Sequence, residues 1–375
     1  MQTYNQSVIV IELPPAKRMS NFRKQILMTI GRLTVEIDSF DPERHSEMIA
    51  DSHFEQRLLR GGRFQARLDR LSLGVCRLDR GRYSLPCYGE GSIPEGWINI
   101  GLSQRLDERA WVNGLHLHAN DIQVYAEGTA VDYRCVPHAA WYALQVRRDD
   151  LQAASLAVLG RELSIPTRGF RNLRLPSVQA TWFRTVLDQS LELGTPVDSA
   201  PESCFAGRIA EGLIACAAQA LCAATADADG RTERALNRRL SLLHAARIFV
   251  QEKLQDNFTM RDLVAATATS ERSLEYLFND AYGVSPRDWF LLTRLHRIRQ
   301  ELIAADPSST SVQAIAARWG ISHGGRFAGI YRELFGELPR ETLARRRPAA
   351  AKLQVLRIRQ PAISGSGAGG IGNQA

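Results

Sequence analysis

The chain has 375 residues, enough for two to three domains and a sizeable core. Its 45% hydrophobic and 23% charged content lies near the globular average and excludes a disordered, collagenous or disulfide-scaffold protein. The net charge of +7 is uneven: residues 1–230 hold 25 Lys and Arg against 27 Asp and Glu, whereas residues 231–375 hold 22 against 13. A polyanionic partner is therefore expected at the C-terminal part alone.

Residues 1–30 carry Pro14-Pro15 and Lys17-Arg18 without a sustained period and are expected to be disordered. The apolar run at 7–13 has no basic region before it and Glu12 inside it, so no secretory signal is expected. Six scattered cysteines form no CxxC pair and no zinc-finger spacing, which points to buried thiols in a reducing cytoplasm.

From Phe64 to Val146 the apolar period is that of strands. Phe64, Ala66 and Leu68 alternate, as do Leu71, Leu73 and Val75; Trp97 to Leu102, Ile122 and Val124, Val131 to Cys135 and Trp141 to Val146 follow. Gly61-Gly62, Gly81, Gly89 and Asn120-Asp121 punctuate these runs, predicting an antiparallel sandwich or barrel. Helices are predicted over 176–193 and 202–224, with a small, acidic linker at 224–233. The second helix contains Glu211 and Gln219 among alanines and cysteines, too weakly apolar for a membrane span.

The C-terminal part repeats itself. At an offset of 52, Thr259, Leu263 and Ser270 correspond to Ser311, Ile315 and Ser322. One inserted residue later, Leu274, Phe278, Tyr282, Gly283 and Pro286 correspond to Phe327, Tyr331, Phe335, Gly336 and Pro339. Each copy has a hydroxyl cap, a short amphipathic helix, a brief turn, a second serine cap and a second helix, the pattern of a helix-turn-helix. Between them, residues 288–304 (DWFLLTRLHRIRQELIA) form one continuous helix that fixes the separation of the two units. Two recognition helices about 34 Å apart would enter successive major grooves.

These residues, 263–278 (LVAATATSERSLEYLF), Gly283 to Pro286, Arg294-Leu295 with Arg299, Ile315-Ala316 with Trp319-Gly320, and 327–339 (FAGIYRELFGELP), resemble the AraC/XylS family of bacterial transcription regulators over 241–345. The resemblance implies a seven-helix DNA-binding domain attached to an N-terminal β-barrel that senses a ligand or mediates dimerisation. Ala268 stands where the family often has glycine, and Leu343 where it often has an aromatic.

The expected fold class is α+β multidomain: an N-terminal antiparallel, cupin-like β-barrel with covering helices, then an all-α domain of two helix-turn-helix units joined by a linker helix. The expected boundaries are a disordered segment at 1–35, the barrel domain at 36–223, a linker at 224–236, the DNA-binding domain at 237–347 and a disordered tail at 348–375.

In the first recognition helix Arg272, Ser273, Glu275 and Tyr276 are expected to face outward, with Arg272 the first choice for reading a guanine edge. In the second, His323, Gly324, Gly325 and Arg326 form the first turn after Ser322, where free N–H groups meet phosphates or base edges. Gly324, Gly325 and Gly329 each cost a helix interior about 1 kcal/mol relative to alanine, which makes this the softer reader. Arg294, Arg297, Arg299 and Arg332 are expected at phosphates or in intradomain ion pairs. For all of these the alternative is ordinary helix surface.

His116 and His118 fall on one face of a strand, but no carboxylate follows at a cupin-like spacing, so a structural histidine pair is favoured over a metal site. No Walker or HExxH motif occurs. The expected function is a cytoplasmic, sequence-specific transcription regulator without cofactor or metal, more an activator than a repressor. Its expected partners are double-stranded DNA, RNA polymerase, a small-molecule effector and a second copy of itself, with no membrane. The alternative is a cupin-type metal enzyme fused to a DNA-binding module.

Overall fold

The computed structural model describes residues 31–38, 40, 54–105, 110–192, 202–226, 232–256, 258–321 and 324–344, together with 9–12 and 352–357. Fifteen strands are described, in two antiparallel sheets. The larger contains, in spatial order, β1 (Ile9–Glu12), β15 (Lys352–Arg357), β2 (Gly31–Ile37), β4 (Ala66–Ser72), β5 (Cys76–Tyr83), β12 (Ala140–Val146), β7 (Ile98–Arg105), β10 (Asp121–Tyr125), β13 (Phe170–Arg174) and β14 (Thr225–Ala226). The smaller contains β3 (Glu55–Leu58), β6 (Cys87–Ser92), β11 (Ala130–Arg134), β8 (Trp111–Val112) and β9 (Leu115–His116).

Side-chain alternation sorts the large sheet into two faces. Leu78, Ile98, Ile100, Leu102, Ile122, Val124, Leu144 and Val146 pack under three helices, α1 (Arg148–Leu159), α2 (Ser177–Glu192) and α3 (Glu202–Ala223). The other face carries Leu33, Val35, Ala66, Leu68 and Tyr83, which share a core with Leu58, Cys87, Val112 and Val131 of the smaller sheet. Among the described residues no strand pair closes the two sheets on each other. The arrangement is an open, two-sheet antiparallel region with covering helices, and a closed barrel is not seen.

Three elements differ from expectation. The segments expected to be disordered contribute β1 and β15, and β15 lies between β1 and β2, so the C-terminal tail supplies a strand to the N-terminal sheet. The expected linker contains β14, paired with β13, and the first residues of α4 (Thr232–Glu252). Residues 206–223 of α3 are long and apolar enough, by length and composition, to cross a membrane. Here Ala210, Leu213, Ile214, Ala217 and Leu221 pack against the sheet, so this length and hydropathy serve a core.

The remaining helices are α5 (Met260–Thr267), α6 (Glu271–Tyr282), α7 (Pro286–Ala304), α8 (Val312–Arg318), α9 (Gly324–Phe335) and α10 (Pro339–Ala344). With α4 they make seven helices among the described residues of the C-terminal part. Three of their caps, Thr259, Ser270 and Ser311, are those read from the repeat, and Ser285 adds a fourth. Thr259 forms a capping box with Asp262, while the hydroxyls of Ser270, Ser285 and Ser311 accept from the backbone N–H of Ser273, Asp288 and Ala314 at 3.1, 3.1 and 3.2 Å.

The two inter-helix turns differ at one position. Gly320, φ +70°, takes the left-handed conformation at the second turn; at the first, Ala268 takes it with φ +48°. That conformation costs a residue with a Cβ roughly 1–2 kcal/mol. Ala268 is exposed, so Ala268→Gly is expected to stabilise the protein by about 1 kcal/mol, read as a higher urea midpoint with unchanged slope.

Candidate nucleic-acid interface

The apolar stripe of α6 is buried: Leu274, Leu277, Phe278, Ala281 and Tyr282 pack with Trp289 and Leu263. This packing turns Glu271, Arg272, Ser273, Tyr276 and Asn279 to the surface, with Glu275 half-buried. Tyr276 is 68% exposed, an unusual position for a large aromatic ring. Ser273 is held by its serine cap, Oγ to Oγ 2.8 Å from Ser270, and Asn279 donates to the Glu275 carbonyl at 2.8 Å.

Helix α9 buries Phe327, Tyr331 and Leu334 and leaves Gly325, Arg326, Gly329, Arg332 and Glu333 exposed. A Cβ built on Gly325 or Gly329 meets nothing within 4 Å, so neither glycine is required by packing inside the protein. The repeat places Gly325 and Gly329 where α6 has Arg272 and Tyr276, and Arg332 where it has Asn279. One exposed face thus carries bulky side chains and the other bare backbone flanked by arginines. His323 and its cap Ser322 lie outside the described residues, as does the immediate surrounding of Gly324.

Two of the four arginines expected at phosphates or in ion pairs are committed to contacts inside the protein, Arg294 within the helical part and Arg299 also across to the sheet-rich part. Arg294 is 7% exposed; its Nε donates to the Leu254 carbonyl at 2.8 Å, Nη2 donates to the Asp256 carbonyl, and the guanidinium lies 4.0 Å from the Phe290 ring centroid. Arg299, 2% exposed, donates to the Phe40 carbonyl at 2.9 and 3.1 Å and to Glu337 Oε1 at 2.7 Å, over the Phe335 ring. Neither can reach a phosphate without unmaking a buried network, which removes both from the expected contact set. Arg297 is half-buried, 3.3 Å from Glu55 of β3. Arg332 alone of the four is exposed.

The inward face of α7 explains this. The helix connects the two units and also rests on the smaller sheet, where His296 Nε2 lies 3.1 Å from the Leu58 carbonyl and Trp289 packs edge-on against Tyr88. Arg247 of α4 pairs with Asp132 and Glu90 of that sheet. His116 Nε2 lies 3.0 Å from Asp280 Oδ1 near the end of α6, where Arg239 also pairs with Asp280. His116 is therefore a structural side chain partnered by an aspartate of the helical part, while His118 gives its backbone N–H to Asp121. Among the described residues no three His, Cys, Asp or Glu side chains converge as a metal site.

Burial holds the His296 ring neutral and lowers its pKa to about 3, with Arg57, Arg299 and Arg297 adding repulsion. An imidazole at 6.5 when unfolded and about 3 when folded stabilises the fold fully above pH 6.5 and progressively less as pH falls through that window. The expected loss is about 1.4 kcal/mol per pH unit, hence about 2 kcal/mol between pH 6.5 and 5. Urea melts should show that slope reduced in His296→Gln, whose amide can keep the bond to Leu58.

Two successive helix-turn-helix units with exposed second helices, tied by one long helix, define the class of the C-terminal part. Residues 263–345 match the helix-turn-helix domain family. The chain is 30% identical over 202 residues to the probable thc operon regulatory protein of Rhodococcus erythropolis, covering 54% of this chain and 60% of that one. It is 37% identical over 99 residues to the XylDLEGF operon transcriptional activator 1 of Pseudomonas putida, covering 26% and 30%. Among solved structures, a probable AraC family transcriptional regulator from Rhodopseudomonas palustris CGA009 aligns at 33% identity and a TM-score of 0.27, over 29% of this chain and 99% of that one. The AraC-like transcriptional activator CuxR aligns at 16% identity and a TM-score of 0.37, over 72% and 96%. The C-terminal part of this chain is a helix-turn-helix domain similar to those of AraC/XylS-type regulators, and the chain spans 60% and 30% of the length of the two curated relatives described.

Proposed function

We propose that the protein is a sequence-specific, DNA-binding transcription regulator whose helical part, about 237–347, reads double-stranded DNA and whose sheet-rich part, about 36–223, receives an effector or a second copy of the chain. The observation that carries this reading is the pair of exposed faces at corresponding positions of α6 and α9, joined by a helix with a buried inner face. Arg272 and Tyr276, with Ser273 and Glu275 beside them, are the proposed base readers of the first unit. Gly324, Gly325 and Arg326 at the start of α9, with His323 before them, are proposed to bring backbone N–H groups against the second groove segment. Arg332 is the proposed phosphate contact, and Arg297 joins it only by releasing Glu55.

The names of the Pseudomonas putida relatives favour activation, with RNA polymerase as the protein partner and the cytoplasm as the compartment. An effector would act by changing how the sheets hold the two units. The test is selection of genomic fragments on the full chain at low salt, followed by footprinting. Two protected major-groove segments on one face of the duplex, one helical turn of about 10–10.5 base pairs apart, are expected. Failure to retain any fragment, or protection of one segment alone, overturns the reading.

A further inference from the structure

A cavity of about 170 Å³ lies between the two sheets, with Phe54, Tyr125, Tyr133 and Trp141 in its walls. An apolar protein cavity of about 150 Å³ takes up benzene, so this one has room for a single ring with one small substituent. The floor is shaped for a flat occupant. Gly101 and Ala143 are register partners on β7 and β12, and a Cβ on Gly101 would come within 3.2 Å of Gln123 Oε1.

Beside that floor stand two amides. Asn99 and Gln145 are the next register pair on the same two strands, and both line the cavity. They are 8% and 7% exposed, and neither Asn99 Oδ1 nor Gln145 Oε1 has a hydrogen-bond partner. A buried acceptor left unbonded pays its full desolvation cost, so two adjacent ones mark where an occupant's N–H or O–H belongs.

The charge inventory excludes an anion. Among the described residues the lining holds two charged side chains, Asp79 and Arg134. Asp79 is bound by Arg70 through contacts of 2.7 and 2.5 Å. Arg134 points to the opposite face of β11 from Tyr133, and its guanidinium lies against Gly283 at the end of α6. Arg77, opposite Gln145 in the ladder with β5, holds its guanidinium over the Trp97 ring, 5.8 Å from the centroid, outside the lining. A carboxylate here would leave water to face two carbonyl oxygens and another carboxylate.

We infer that the cavity binds an uncharged single-ring aromatic compound bearing a hydrogen-bond donor, of the phenol or primary-amide kind, with the donor on Asn99 and Gln145. This rests on the effector-receiving role proposed above. The test titrates the full chain calorimetrically with three ligands of matched shape: benzamide, benzoate and toluene. Benzamide is expected to bind at least tenfold more tightly than either of the others. Gln145→Met should reduce its advantage over toluene about tenfold, and Gly101→Val, which fills the floor, should weaken all three.

Benzoate binding as tightly as benzamide would overturn the inference on charge, and toluene doing so would overturn the role of the amides; in both cases the receiving role stands. Absence of binding by all three would overturn the inference together with the receiving role of this cavity. The three-ligand series needs no variant, so it decides the matter even where a substituted chain fails to fold.

Discussion

Replacing Arg299 with methionine is expected to lower the unfolding free energy by about 3–5 kcal/mol, because it leaves a buried acceptor set without its cation. The guanidinium satisfies the Phe40 carbonyl and Glu337 Oε1 and lies 3.3 Å from the Tyr331 hydroxyl. Glu337 is 9% exposed and would retain Thr342, at 2.9 Å, as its neutral partner. Methionine can occupy much of the volume but donates nothing. Urea unfolding measures the loss, and Arg299→Met/Glu337→Leu should recover part of it, since removing both partners of a buried pair costs less than removing one. A loss below about 1 kcal/mol would show that water enters the network readily.

Arg272→Ala is expected to remove about 1–3 kcal/mol of discrimination at one base pair while leaving total affinity for mixed-sequence DNA nearly unchanged. Its helix is anchored by residues on the opposite face, so truncation at the surface leaves the fold intact. Arg332→Ala supplies the contrast: binding should weaken by a similar factor on every sequence, and the slope of log affinity against log salt should fall by about 1. Titrations of both variants against a randomised operator library distinguish the two outcomes. An Arg272→Ala chain with unchanged preference at every position would reject the base-reading assignment.

The helical half was legible because its information is local. Serine and threonine caps, a four-residue apolar recurrence and an internal offset of 52 to 53 residues each constrain neighbouring residues, and all agree on the same helices. Strands β4, β7, β10, β11 and β12 were legible through alternation, and α2 and α3 through their period, whereas β5 and β6 run through Gly81 and Gly89, which were read as punctuation, and Leu73 and Val75 fall in the turn between β4 and β5. Strands β1 and β15 were not, since each is short and acquires its partner from more than three hundred residues away. Helix α1 was hidden by a polar start, RDDLQ, and only a few buried side chains. Among the site residues, Arg294 and Arg299 illustrate the limit. An arginine on an amphipathic helix has the same sequence signature whether it faces solvent or bonds backbone carbonyls of another segment, and only the packing of α7 against the residues after α4 and after β2 decides.

The smaller sheet and its flanking turns touch both reading helices at their far ends. His116 and Arg134 meet the end of α6 at Asp280 and Gly283, and Gly61 approaches the Glu333 carbonyl at the end of α9 so closely that a Cβ has no room. The gauge between the two heads is therefore set by the whole chain acting as a jig, with α7 as one of its three fixtures. A C-terminal fragment excised from this chain would keep the heads and lose two fixtures, and should tolerate operators whose half-sites are out of helical phase.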